Sequence, residues 1–520
     1  MANAAKAPED RTSRKLDRYG DAGENAGRSR LNASVLMRIT RMAFRHRVRM
    51  AVAILATVAA GVFQLFVPQY LGQAVDQAEG LLRDGSADAE ATLVQTALLL
   101  LGVAVARGFA AMMQNYQGEA VGQVIGYELR LAYYRQLQRL SFAWRDRVHS
   151  GDLIARGMLD VEGVRLWVST GVLRMILLTI LIGGGGVILL RIDATLALIT
   201  LAMVPVIGVR ASTARLKLRE AWLRLQEEMA ALTRVMEENL AGIRVVRAFA
   251  AEAFELARFD KSSAKARAVA GERINLFVAS TTQMTFVYFL FMALVLWIGG
   301  EKVLAGEITL GQLTEFLAFM LILQMPIRQI GWMINSIARA STCGGRLFAV
   351  LDLEPSIADA PDAKPLEISA GAIRFENVAF RYAGREDGPP TLDDISFEAR
   401  PGHTIGIVGP PGSGKTTIAA LAGRFYDVDA GRITIDGQDI RDVTLDSLRG
   451  AVAVVQQQPF LFTASLAHNI AYGAPYADRG EIARSADAAQ LSAYIDRLPD
   501  AYGALVGERG VTLSGGQRQR

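Results

Sequence analysis

The chain has 520 residues, 51% hydrophobic and 21% charged, a formal net charge of +4, a mean hydropathy of +0.23 and a pI near 9.1. It is too apolar for an ordinary soluble protein and too charged for one embedded wholly in lipid, so a membrane part joined to a soluble part is predicted. The lone cysteine, Cys343, excludes a disulfide framework, and the scattered His46, His149, His403 and His468 lack the spacing of a zinc site.

Residues 1–45 read as a basic cytoplasmic tail, with Lys6, Arg11, Arg14, Lys15 and Arg18 followed by Arg28, Arg30, Arg38, Arg41 and Arg45. A long apolar run follows at once, so this basicity suits a membrane surface and not nucleic acid. That run starts too deep in the chain for a signal peptide, and Glu9, Asp10 and Asp17 argue against a transit peptide. A bilayer crossing needs about 20 mostly apolar residues, and the pattern occurs six times. The first run, Met50 to Val75, is free of charge and is followed by Asp76 and Glu79, which places the N-terminus in the cytoplasm. The second starts near Ala91 and continues into a polar helical stretch through Glu128, Arg130, Arg135 and Arg139. The third, about Trp167 to Leu190, turns through Arg191, Ile192 and Asp193 into a fourth that ends near Arg210. Residues 215–273 are helical but too charged for lipid. The fifth run is Ile274 to Gly300, and the sixth starts near Ile308.

Within these runs Arg107, Arg174 and Arg210 fall toward the cytoplasmic ends, where long side chains can reach the headgroups. Glu315 lies about two turns inside the sixth run; it is read either as a contact for cationic substrates or as a rim residue hydrated from outside. The run Gly183 to Gly186 predicts a close helix-packing face. Residues 46–345 thus form an all-α six-span domain. Residues 346–370, dense in proline and charge, form a linker.

From residue 371 short apolar strands (IRFENVAFRY, HTIGIVG, GRITIDG, VAVVQQ) alternate with helical stretches, which predicts an α/β domain over 371–520. Its chemistry centres on Gly409, Pro410, Pro411, Gly412, Ser413, Gly414, Lys415 and Thr416, which fit the glycine-rich phosphate loop. The loop follows the HTIGIVG strand and opens the helix TTIAALAGRF. Its glycines let backbone N–H groups converge on a phosphate at a helix N-terminus, where the dipole favours negative charge. Lys415 would neutralise the β- and γ-phosphates, the Thr416 hydroxyl would ligate Mg²⁺, and Thr417 follows as the next nucleotide contact.

These residues resemble the ATP-binding cassette family, and the likeness reaches from about residue 35 to the end. Tyr382, in Phe380-Arg381-Tyr382, looks like the family's adenine-stacking aromatic. Gln457 looks like its Q-loop glutamine and Mg²⁺ contact, chosen within Gln456-Gln457-Gln458 because Pro459 follows. Gly507-Glu508-Arg509-Gly510 resembles an exporter-specific segment, and Ser514, Gly515, Gly516 and Gln517 match the family signature. Residues 145–164 and 237–252 are similar to the two cytoplasmic coupling regions.

The resemblance implies an exporter-type half-transporter: a six-span domain, then an incomplete P-loop NTPase domain. It implies ATP and Mg²⁺ as cofactors and alternating access in the cell membrane. It implies a second half-transporter as partner, identical or not, because the signature acts on nucleotide held by the opposite subunit. The chain ends at Arg520, before the family's acidic catalytic pair and switch histidine, so it is expected to be part of a longer protein and hydrolysis is not expected of it as written. The alternative is a non-hydrolysing, ATP-binding partner or regulatory subunit. The cargo stays open.

Overall fold

An apolar segment that crosses a bilayer has only its own backbone to hydrogen-bond with, so runs of this length fold as helices. The computed structural model describes residues 32–84, 87–382, 388–507 and 513–520. The tail before residue 32 and the segment Glu508, Arg509 and Gly510 lie outside the described residues. The chain divides into two compact units, one reaching to Gln138 and resuming over Ser150–Leu353, the other combining Arg139–His149 with Glu354–Arg520.

The first unit begins with α1 (Ala33–Ala43), α2 (Arg47–Asp84) and α3 (Ala87–Arg139). The short α4 (Phe142–Arg145) belongs to the second unit. The first resumes with α5 (Ser150–Ile192), α6 (Ala194–Ala241), α7 (Ile243–Ala248), α8 (Glu252–Leu304) and α9 (Leu310–Leu351). Six of these helices are long and apolar enough to cross a membrane, as the six runs predict. At 53, 48 and 53 residues, α3, α6 and α8 are roughly 70–80 Å long at 1.5 Å per residue. A hydrocarbon core of about 30 Å leaves more than half of each outside lipid. Helix α9 runs to Leu351, so the start of the expected linker continues the last span.

Polar caps pin the turns between spans. Asp193 accepts the Leu196 N–H at 2.8 Å and pairs with Lys302 at 2.7 Å. Its carboxyl is held below the usual range: burial opposes the shift, but the hydrogen bonds from Lys302 and the Leu196 N–H outweigh it. Asp76 accepts from the Thr309 hydroxyl and the Gly311 N–H. Between these ends Leu65, Leu181, Leu196, Phe316 and Phe319 form part of one core. Gly185 lets α5 approach that core, since a Cβ there would sit 3.2 Å from the Phe319 ring. Glu315 is not the rim residue hydrated from outside. It is only 8% exposed, it lies where α2 and α9 pack through Gly72, and its Oε1 has no hydrogen-bond partner among the described residues.

In the second unit the strand order is β2-β1-β3-β4, all antiparallel, with β1 (Ile373–Phe380), β2 (Leu392–Ala399), β3 (Ala430–Ile435) and β4 (Gln438–Asp439). Phe375, Val378 and Phe380 of β1 are buried with Leu392, Ile433 and Ile435. The step from Phe375 to Val378 is not the period of two because a bulge at Asn377, φ +47°, interrupts the register. Helix α10 (Lys415–Ala422) covers this sheet through Leu421, and α11 (Leu445–Ala451) through Leu448. A second, helical core gathers Leu466 of α12 (Leu466–Ile470), Ala486 of α13 (Arg479–Ala488) and Ile495 of α14 (Ser492–Ile495). The last described element is α15 (Gly515–Gln519).

Two expected strands do not form. Residues 403–409 and 452–456 carry no ladder, and Val408 and Val455 are 93% and 78% exposed. A strand needs a neighbour for its N–H and C=O groups, and neither segment has one among the described residues.

Candidate functional site

The phosphate-loop residues fold as their composition requires. Gly412 and Gly414 sit at φ +84° and +87°, the left-handed region that side chains avoid. At Gly414 space is short as well: a Cβ would lie 2.6 Å from Leu392 Cδ2 and 3.0 Å from the Thr391 carbonyl. These two turns bring the chain to Gly414, the N-cap of α10. Among the described residues the N–H groups of Gly412, Gly414, Lys415 and Thr416 meet no backbone acceptor, so an array of donors stands at a helix N-terminus. The Lys415 ammonium donates to the Gly409 and Pro410 carbonyls at 2.8 and 2.7 Å and approaches Ser413 Oγ at 3.4 Å. It is thereby held over the loop it serves.

Beside the loop is a cavity of about 550 Å³ lined by Tyr382, Thr391, Gly412, Gly414, Lys415 and Thr416, with Thr417, Tyr426, Ala143 and Asp146 completing it. A glycine-lined cradle, a lysine and an exposed threonine hydroxyl at a helix N-terminus have the donor chemistry that a nucleotide phosphate and its Mg²⁺ require. Tyr382 is placed by the end of β1; its hydroxyl lies 3.1 Å from Thr417 Oγ1 and its ring meets Tyr426 edge-on at 5.2 Å.

The structure therefore brings together Tyr382, the loop from Gly409 to Thr416, and Thr417. Gln457 sits in an exposed bend and does not line this cavity. The signature residues stand apart too. The Ser514 side chain caps α15 in a reciprocal box with Gln517, while Gly515 and Gly516 open the helix and are exposed.

Sequence reasoning missed two residues. Tyr426 donates to Asp146 at 2.7 Å and packs beside Phe142, so the short α4 segment forms one wall of the cavity. Burial, then the hydrogen bond to Asp146, push the Tyr426 hydroxyl above its ordinary pKa. Only the aromatic run Phe425-Tyr426 just past the phosphate-loop helix could have hinted at it.

Comparison with known proteins adds to this geometry. The profile of the ABC transporter transmembrane region matches residues 50–327, and that of the ABC transporter matches residues 392–520. The chain is 34% identical over 420 residues to the uncharacterized ABC transporter ATP-binding protein YknU of Bacillus subtilis, covering 81% of this chain and 72% of that protein. It is 35% identical over 424 residues to the ATP-dependent lipid A-core flippase of Thiobacillus denitrificans, again 81% and 72%. To a multidrug efflux ATP-binding/permease protein of Mycobacterium bovis it is 34% identical over 488 residues, 93% of this chain and 39% of that one.

Proposed function

This chain belongs to the ABC transporter family, as an exporter-type half-transporter that moves a substrate across a membrane driven by ATP, and on that premise we propose how its residues do so. ATP lies with its phosphates on the N–H groups of residues 412–416, its charge offset by Lys415 and its base beside Tyr382. Thr416, joined by Gln457 once the Q-loop closes, holds Mg²⁺, which when bound supplies positive charge against the β- and γ-phosphates. The observation that carries this reading is the pair of left-handed glycines that deliver Lys415 to the start of α10 inside a cavity walled by Tyr382.

The partner is a second half-transporter. Ser514, Gly515, Gly516 and Gln517 lie outside the cavity, which supports their use on the nucleotide of an opposite subunit, by hydroxyl and amide donors at the start of α15. The exposed Val245, Phe249 and Phe254 around α7 offer an apolar patch that a partner would cover. Functionally, residues 46–345 act as the membrane domain, 346–370 as the linker and 371–520 as the cassette. The protein is a multi-pass membrane protein. Arg38, Arg41 and Arg45 before α2 and Arg47 and Arg49 in its first turn, against Asp76 and Glu79 toward its far end, favour a cytoplasmic N-terminus and cassette in a cell membrane. The names of the relatives, a lipid A-core flippase and a multidrug efflux protein, support an amphipathic or hydrophobic cargo.

The test is equilibrium binding of labelled ATP to the purified chain and to Lys415→Ala. Loss of charge-assisted contacts, about 1.5–3 kcal/mol, predicts about 10- to 150-fold weaker binding. Equal binding by both proteins refutes the assignment of the loop.

A further inference from the structure

The membrane unit contains a second cavity, of about 780 Å³, between α5, α6, α8 and α9. Its charged lining is one-signed: Arg174 of α5, Arg215 and Arg219 of α6, and Arg273 of α8. Two of these guanidiniums lie over indole rings, Arg174 at 4.8 Å from the Trp332 centroid and Arg273 at 4.7 Å from that of Trp222. Among the described residues none of the four forms an ion pair. The contrast with Arg224, one turn further along α6, is direct, since Arg224 is paired with Glu272 at 3.3 Å. The acidic neighbours in sequence, Glu220 and Glu272, do not line the cavity.

Four cations converging on one space repel each other, and the cost rises wherever water is displaced. The indole faces answer only part of that charge. A ligand that removes the rest must carry a compact anion that a guanidinium fork can grip, a phosphate or a carboxylate. Beyond the neutral polar Ser280, Thr281 and Gln329 the rest of the wall is apolar and aromatic, with Trp222, Trp332 and Phe277 on the same space, and the volume falls in the range of ligand cavities, about 300–1,000 Å³.

We infer that this cavity binds an anionic amphiphile, its phosphate or carboxylate head among Arg174, Arg215, Arg219 and Arg273 and its apolar body against Trp222 and Trp332. The inference deepens the export reading, on which it rests, by giving the cargo a charge. It also turns attention from Glu315, the sequence candidate for a cationic cargo, which is packed between helices and lines none of this cavity.

The experiment follows tryptophan fluorescence of the full chain in neutral detergent, without nucleotide, during titration with dioctanoyl phosphatidic acid, dioctanoyl phosphatidylcholine or inorganic phosphate. Phosphatidic acid is expected to bind at least tenfold more tightly than either of the others, and Trp332→Phe to remove much of the signal. Arg174→Gln with Arg273→Gln is expected to bring the two lipids within about threefold of each other; Arg219→Gln alone, at an exposed position, should reduce the preference part of the way. Equal affinity for the two lipids, a preference untouched by these substitutions, or phosphate binding as tightly as phosphatidic acid overturns the inference. ATP binding measured on the same samples reports folding and keeps the outcomes apart. No lipid preference in the unsubstituted chain, with ATP binding intact, sinks the cavity assignment alone, whereas indifference to Lys415→Ala sinks only the nucleotide reading.

Discussion

Replacing Gly414 and Gly412 separately by alanine tests whether the phosphate loop works through backbone shape. Both residues hold nearly the same left-handed φ, +87° and +84°, so each alanine meets the same conformational penalty, about 1–2 kcal/mol. Their surroundings differ. A Cβ at Gly412 meets nothing within 4 Å, whereas at Gly414 it runs into Leu392 Cδ2 at 2.6 Å and the Thr391 carbonyl at 3.0 Å. The Leu392 side chain can swing aside but the Thr391 carbonyl, in the backbone just before β2, cannot, so overpacking adds about 1–3 kcal/mol at Gly414 alone. If the loop escapes the strain by leaving its binding geometry, the cost appears in affinity at about 1.4 kcal/mol per factor of ten. Gly412→Ala should then weaken ATP binding by roughly 5- to 30-fold, and Gly414→Ala by a further factor of about 5 to 150. Equilibrium titration with a fluorescent ATP analogue measures both, with thermal unfolding as a check that the cassette is intact. Equal affinities in the two variants would refute the reasoning, because only the contact with Thr391 and Leu392 separates them.

Three other changes probe the frame around the site. Arg346 grips Asp160 through two contacts, at 2.5 and 2.9 Å, and Asp160 is 4% exposed; Arg346→Met strands a buried carboxylate and should cost about 3 kcal/mol, and adding Asp160→Asn should restore most of the lost unfolding temperature. Tyr426→Phe keeps the ring and removes the bond to Asp146, so a loss of about 1 kcal/mol is expected in denaturant unfolding, small because Asp146 is exposed. Asp436 accepts from the N–H groups of Ser369, Ala370, Gly371 and Ala372, and the bonds from Gly371, Ala370 and Ala372 chiefly hold its carboxyl well below the usual range. Its stabilisation is therefore complete above the unfolded value near 3.9 and fades as pH falls through the depressed folded value. Wild type should exceed Asp436→Asn in stability at pH 7, with the gap closing below about pH 4 in acid unfolding monitored by circular dichroism.

The helices of the membrane unit and the phosphate loop were legible because each depends on a local signal: a run of apolar residues, or glycines at fixed spacing before Lys415 and Thr416. The short strands were legible only where a partner exists. IRFENVAFRY and GRITIDG pair with each other as β1 and β3, but HTIGIVG and VAVVQQ have the same apolar character and form no ladder, since strand formation is a property of two segments and a sequence window contains one. The same limit hid Tyr426. Its importance comes from Asp146, 280 residues earlier, and no period or motif joins them.

The arginines of the membrane unit meet the same limit. Read singly, Arg174 is a long side chain near the end of a span, free to reach the headgroups, and Arg215, Arg219 and Arg273 are surface charges of helices that leave the membrane. Amphipathic pattern fixes which face of its own helix a residue occupies, and that much was available from the sequence. Which faces of four helices meet is decided by packing between segments up to 158 positions apart, from Arg174 to Trp332, through Leu181, Ile207, Met284 and Ile327. In lipid, where burial of apolar surface drives no helix association, that packing rests on close fit and polar contacts such as those of Asp193 and Asp76 at the turns. The charge of the cavity is thus a consequence of which helix faces meet, and no one segment of the sequence carries it.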